Sequence, residues 1–366
     1  MQHHDLIVAG AGIIGADCAQ VAAEAGLRVA VVEPGEIDGG ATAAGMGHLV
    51  ALDGVPAEFV LARDSLRLWE AYAEQPEAEF HRCGTLWVAD DEAGLETLRG
   101  KAARLEAADV AVEWLDAAAL REAEPALAHD LVAGLRVPNE AVVYPPRIAR
   151  TMLDRVGVLG GTLHRGRRVV ALENDGARLD DGTRLHGPVL VACGCDTSAL
   201  LPELALRPRR GHLVITDRYP GWLRHQVVET GYAAGAHGDA AEAVACNVQP
   251  RPGGQLLVGS SREFDQAGAQ VASSLLARML QRCFRFLPDL PSLKALRAWT
   301  GFRPATPDGL PYIGALPSRR GVWVAAGHEG LGVTTALGTA QLFADLFLGR
   351  PPRIDPAPYA PLRRAA

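Results

Sequence analysis

An α/β fold, with one parallel sheet and a second, mainly antiparallel one, is predicted for this 366-residue chain by three observations. The apolar stretch Asp5 to Ala9 runs straight into Gly10-Ala11-Gly12-Ile13-Ile14-Gly15. An alanine-rich helical run to Gly26 then leads to a second apolar stretch, Arg28 to Val32, which ends on Glu33. Much later the apolar strands 188–194 and 322–327 also end in glycine, while 211–301 alternates apolar and polar residues. Apolar runs suit strands buried on both faces, and alternation suits strands covered on one.

The opening unit reads as a Rossmann-type dinucleotide site. Gly10 allows a tight turn, Gly12 lets backbone approach a pyrophosphate, and Gly15 lets helix pack on sheet. The helix that starts around Ile13 and Ile14 offers free N–H groups and a positive dipole end to phosphates. Glu33, eighteen residues after Gly15, is placed to accept hydrogen bonds from a ribose. The motif by itself leaves FAD and NAD both open.

Composition narrows the class. The length exceeds one ordinary core and predicts about two domains. A net charge of −7 without a long basic run argues against nucleic acid as a partner. No apolar stretch reaches the length of a membrane span. The first strand begins at residue 5, which leaves no room for a leader peptide, and six scattered cysteines suggest a reducing cytoplasm. Cys193 and Cys195 form a close pair, but no second pair completes a metal or iron–sulfur set.

Taken in order, Pro34 to His48 is a small-residue loop and helix start with room for a flat group. Within it, Thr42 suits both a helix cap and a phosphate contact. Helical spacing marks 56–74 and 92–109, and strands are expected at 85–89, 112–115 and 131–137. Pro146 opens a helix to about Val158. Strands at 168–173 and 177–179 flank an Asn-Asp-Gly turn. Further strands are expected at 211–217, 226–229, 243–248, 255–259 and 296–301, with a helix over 269–286. Residues 301–314 read as a dense loop. The strand 322–327 then leads through His328-Glu329-Gly330-Leu331-Gly332-Val333-Thr334 into a final helix ending near Leu348.

Three separated motifs resemble the flavin-dependent family of glycine oxidase and D-amino acid oxidase. They are Gly10 to Gly15 with Glu33, Ala43-Ala44-Gly45-Met46, and Gly301-Phe302-Arg303-Pro304 with Asp308 to Gly314. Within that family, Ala41 to Val50 looks most like the flavin subunit of D-hydroxyproline dehydrogenase, with hydrogen cyanide synthase and opine oxidase subunits next. The resemblance implies a glycine oxidase-like two-domain fold. An FAD-binding domain (1–82, 141–210 and 302–366) is interleaved with a substrate domain (83–140 and 211–301). It implies FAD held by Gly10, Gly12, Ile13, Ile14, Gly15, Glu33 and Pro34. The run Ala41, Thr42, Ala43, Ala44, Gly45, Met46 and Gly47 would join them. So would Val169, Val170, Ala192, Gly194, Arg303, Gly327, His328, Gly330, Leu331, Gly332, Val333 and Thr334.

The resemblance also implies that Arg303 binds a substrate carboxylate, with Met46, His48, Asn247 and Gly330 nearby. An arginine fork suits that task. His48 reads equally well as a polar contact near the flavin and as a loop histidine bonding backbone. Glycine oxidase carries an arginine about where Gly330 stands, so a second anchor is absent or supplied elsewhere, for example by Arg251. The expected reaction is hydride transfer to FAD from a small amino or imino acid, giving an imine. The alternative is a non-catalytic electron-relay subunit. Relatives of the second kind imply partners: a second flavoprotein subunit and an iron–sulfur subunit.

Overall fold

The computed structural model describes residues 3–37, 39–232, 242–264 and 268–363. Asp38, inside the small-residue loop, lies outside the described residues. The chain opens with β1 (Leu6–Ala9), α1 (Ile13–Glu24), β2 (Val29–Glu33), α2 (Gly40–Ala44), β3 (His48–Leu49) and α3 (Pro56–Trp69). Next come β4 (Thr85–Ala89), α4 (Glu92–Glu106), β5 (Glu113–Asp116), α5 (Ala117–Ala123) and β6 (Ala133–Val137). They are followed by β7 (Ala141–Val142), α6 (Pro145–Val158), β8 (Thr162–Arg165), β9 (Val169–Glu173), β10 (Gly176–Leu179), β11 (Arg184–His186), β12 (Val189–Val191) and α7 (Thr197–Leu200). The last third holds β13 (Arg207–Thr216), β14 (Gln226–Glu229), β15 (Glu242–Pro250), β16 (Leu256–Phe264), α8 (Ser273–Phe286) and β17 (Ala295–Ala305). It ends with β18 (Tyr312–Ala315), β19 (Val322–Ala326) and α9 (Gly332–Phe347).

Two sheets dominate. The first has the order β18-β19-β12-β1-β2-β8 and is parallel except for β18 on β19. Its central strands are apolar throughout because both faces are covered. On one side α1, α6 and α9 share a core with Leu6, Val8, Val29 and Val31. On the other, the three-stranded sheet β11-β10-β9 packs Ala177, Leu179 and Leu185 against Ile7, Ala9, Ala30 and Val32.

The second sheet has the order β17-β13-β16-β15-β14-β4-β6-β5, antiparallel except where β14 meets β4. Side-chain alternation splits its faces. Val88, Val214, Val227, Cys246 and Val258 meet the apolar stripe Met279, Cys283 and Phe286 of α8. Trp87 and Leu135 face α4 on the other side, and Leu213 and Leu257 meet Met46 there.

The expected loop over 301–314 needs correction. Gly301 to Ala305 is not loop but the end of β17. Pro304 misled the reading: β17 is an edge strand, paired only with β13, so a residue without an N–H is tolerated. Tyr312 to Ala315 is likewise a strand, and β8 was not anticipated. β13 and β17 run through the expected boundaries at 210/211 and 301/302.

Candidate functional site

A cavity of about 870 Å³ lies between the two large sheets. At one end it is bordered by Gly10, Gly12, Ile13, Ile14, Glu33 and Pro34, with Val169, Val170, Ala192 and Gly194 opposite. The opening turn is tightly built. Gly10 has φ +104°, and a Cβ there would lie 2.4 Å from the Ala192 carbonyl oxygen. Glu33 accepts hydrogen bonds from the Ala11 N–H and the Gly35 N–H, both at 2.8 Å. Thr42 sits inside α2 yet caps α1, its Oγ1 accepting from the Ile13 N–H at 3.0 Å. Its hydroxyl proton remains available to an acceptor in the cavity.

At the other end the lining includes Ala41, Ala44, Gly45, Met46 and Gly47, with His328, Gly330, Gly332 and Val333 across from them. Two contacts that composition does not show hold the small-residue segment in place. Gln249 Nε2 donates to the Met46 carbonyl, and Trp299 Nε1 donates to the Ala44 carbonyl at 3.3 Å. This end fits a flat aromatic group: backbone and small side chains line it, and the N-terminus of α9 faces it. The nucleotide end fits a dinucleotide, with the N-terminus of α1 and an acid at the end of β2. The donor set of this chain therefore suits FAD along the whole cavity.

Several expected residues lie outside the lining. Ala43 is exposed on the far side of α2. Gly15 packs instead on the Gly10 carbonyl, 2.0 Å from where its Cβ would stand. Gly327 makes the turn after β19 at φ +89°. Leu331 is buried in the apolar cluster around Trp87. Thr334 Oγ1 donates to the His48 carbonyl at 2.8 Å, so it positions a lining residue. Asn247 is buried on β15 between Val228 and Gly259. Arg251 is engaged elsewhere, donating to the Val143 carbonyl at 2.9 Å and to Glu79 at 3.3 Å.

Arg303 lines the cavity from β17. Its Nη1 donates to the Ser261 carbonyl at 3.2 Å, leaving Nε and Nη2 without a hydrogen bond to the described residues. It can lie flat against β13 because Gly211 has no side chain: a Cβ there would be 2.2 Å from Nη1. At Gly330 a Cβ would stand 3.8 Å from Arg303 Cδ and Nε, so any larger residue at 330 would reach toward the guanidinium.

His48 Nδ1 lies 2.6 Å from Gln226 Nε2. Burial, then the charges of Arg303, Arg251 and Arg262, push its pKa down to about 3, so the ring is neutral. His328 is also held near 3 by burial, and its Nε2 meets Thr339 Oγ1 at 3.0 Å. Sequence reasoning missed Tyr232, Ser260 and Glu329, which also border the cavity. Register within the second sheet brings Ser260 there, while Tyr232 lies beyond the end of β14 and Glu329 in the turn between β19 and α9. Cys193 and Cys195 line the nucleotide end as free thiols.

Comparison with known proteins agrees with this geometry. The family model DAO, described as FAD dependent oxidoreductase, matches residues 5–346. Glycine oxidase of Pseudomonas aeruginosa is 31% identical over 384 aligned residues, covering 98% of this chain and 99% of that one. Hydrogen cyanide synthase subunit HcnC of the same organism is 28% identical, covering 98% and 96%. The crystal structure of glycine oxidase from Geobacillus kaustophilus superposes with a TM-score of 0.90 at 26% identity, covering all of both chains. With a dinucleotide turn, a flat small-residue cradle and a match over nearly its whole length, this chain belongs to the DAO family and is an FAD-dependent oxidoreductase.

Proposed function

We propose that the enzyme oxidises the C–N bond of a small amino or imino acid held by its carboxylate on Arg303. The observation that carries this reading is a guanidinium on the flavin end of the cavity with Nε and Nη2 uncommitted. That pair of donors matches a carboxylate side-on. The names of the glycine oxidase relatives support an amino acid as substrate. Bound FAD supplies the hydride acceptor. Arg303 fixes the carboxylate and thereby the direction of the α-C–H. Met46 and Leu213, backed by Leu257, give the site an apolar wall, which limits water. His48, with a pKa near 3, is too weak a base to take a proton from an ammonium group; it serves as a hydrogen-bond partner. The amine therefore reaches the transfer step already neutral.

The domain division given above goes with this reading: the FAD-binding ranges carry the parallel sheet, and the substrate ranges carry most of the antiparallel one. The test is anaerobic mixing of the FAD-loaded protein with glycine, N-methylglycine and both enantiomers of proline and hydroxyproline. At least one is expected to bleach the flavin, and the resemblance of the short stretch Ala41 to Val50 to the flavin subunit of D-hydroxyproline dehydrogenase points to the cyclic D-acid. No bleaching by any of a broad amine panel removes the reading.

A second reading, a subunit that hands electrons to a partner chain, is supported by HcnC being by name a subunit of a larger synthase. Bleaching of the isolated chain followed by slow reoxidation in air and fast reoxidation by a dye would favour a dehydrogenase with such a partner.

A further inference from the structure

Gly330 is a glycine that the fold does not ask for. It lies in the turn between β19 and α9, is exposed, and borders the cavity beside Arg303. Two things call for a glycine: a left-handed φ, or a neighbour too close for a side chain. Every other glycine that borders the cavity has a positive φ or a neighbour within 3.5 Å of where its Cβ would stand. Gly330 has neither. Its φ is outside the left-handed region. Beyond its own turn, the nearest described atoms to its absent Cβ are Arg303 Cδ and Nε, both at 3.8 Å, an ordinary contact.

The strain of this turn sits one residue earlier. Glu329 takes φ +45°, a conformation that glycine adopts freely and other residues rarely do. If the backbone set the choice, the glycine would stand at 329. The Gly330 N–H donates to Glu329 Oε2, a bond that any residue with an N–H could make. Glycine also loses more chain entropy on folding than alanine does. A glycine in an ordinary conformation, with open space beside it, is accounted for by a ligand in that space.

Arg303 identifies the ligand. Nε and Nη2 are the donors left for a carboxylate, and Nε is one of the two atoms nearest to the absent Cβ. A carboxylate oxygen on Nε is two bonds from the Cα of an amino acid. A carbon attached to that Cα is then the group that comes within reach of residue 330. A flavin carbonyl in the same space would seek the Gly330 N–H, which is already engaged.

We propose that Gly330 determines substrate size: the room left by its missing side chain receives a carbon substituent on the Cα of the amino acid held by Arg303. Substituted and cyclic amino acids are then preferred over glycine. This rests on the C–N oxidation reading and adds the residue that sets which amino acids fit.

The experiment uses the FAD-loaded full chain and carboxylic acids that have no C–N bond to oxidise. Acetate is compared with isobutyrate and cyclopentanecarboxylate by perturbation of the flavin spectrum, in the parent, Gly330→Ala and Gly330→Val. The substituted acids are expected to bind the parent about tenfold tighter than acetate or more. Gly330→Ala should reduce that preference several-fold and Gly330→Val should abolish it, with the acetate affinity held within about twofold. The melting temperature of Gly330→Ala should match or exceed that of the parent, because alanine restricts the unfolded chain. No preference in the parent, or a preference untouched by Gly330→Val, overturns the proposal. So does acetate weakened as much as the substituted acids, which would make residue 330 a wall of the carboxylate site. A lower FAD content in the variants would assign the space to the flavin, and a lower melting temperature in Gly330→Ala would show that the fold requires the glycine; either overturns it too. An anaerobic reduction screen separates this inference from the reading beneath it. Alanine or proline of one hand should reduce the parent faster than glycine does, and Gly330→Val should reverse that order. Reduction of the parent with glycine favoured removes this inference and leaves the C–N reading standing. Reduction by no amine at all removes both.

Discussion

At the residue scale, Arg303 depends on what its neighbours lack. Gly211 leaves the plane of its guanidinium clear, and Gly330 leaves its outer edge clear. Arg303→Lys keeps the charge and loses the fork. The expected outcome is a KM for the amino-acid substrate raised about 10- to 100-fold with the FAD content unchanged. Steady-state kinetics beside the flavin absorbance check it. Loss of FAD in step with activity would mean that Arg303 holds the cofactor and not the substrate. Arg303 could be picked out in the sequence because Phe-Arg-Pro sits in a motif. Ser260 could not, because nothing in Gly-Ser-Ser-Arg distinguishes a serine that borders the cavity from any other strand serine. Alternation assigns a face only after the partner strands are known.

At the element scale, the start of α1 is capped from outside its own sequence. The Thr42 hydroxyl takes the Ile13 N–H across a gap of 29 residues. Thr42→Val keeps the shape and removes the cap, which costs about 1 kcal/mol in comparable cases. FAD affinity should fall several-fold and the melting temperature of the apoprotein should drop, with Thr42→Ser restoring both. An unchanged FAD affinity alongside a lowered melting temperature would confine Thr42 to capping. The β1–α1–β2 unit was readable because its strands, turn and acid are local and consecutive. β8 was not, since its four residues follow two glycines and gain their identity only by pairing with β2 at the sheet edge. β17 is half-legible: Pro304 signals loop until the edge position of the strand explains it.

At the scale of the whole molecule, buried acids set a pH limit on stability. Glu58 is pushed up to about 8 and Glu140 to about 7, in both cases mainly by burial. A raised carboxyl pKa means that the folded state binds the proton more tightly than the unfolded chain. Its contribution is full below the unfolded value near 4.5 and is lost as pH rises through the folded value. His48 and His328, lowered to about 3, work in the opposite sense: they add stability above 6.5 and lose it as pH falls toward 3. Glu58→Gln removes the alkaline loss at one site. Its melting temperature relative to the parent is expected to be higher at pH 9 than at pH 5. A difference that does not change between the two pH values would show that Glu58 titrates normally.

The central place of β1 has a consequence for how the protein is made. Its sheet neighbours are β2, which follows at once, and β12, which begins at Val189. At about 5–20 residues per second, roughly ten to forty seconds of synthesis separate β1 from that second neighbour. The cavity also takes residues from β17 and from the start of α9, so its flavin end does not exist until the last part of the chain has emerged. Cofactor loading is therefore a late event on the ribosome or an event after release. Until then, the nascent chain presents an apolar strand edge open to pairing with other chains.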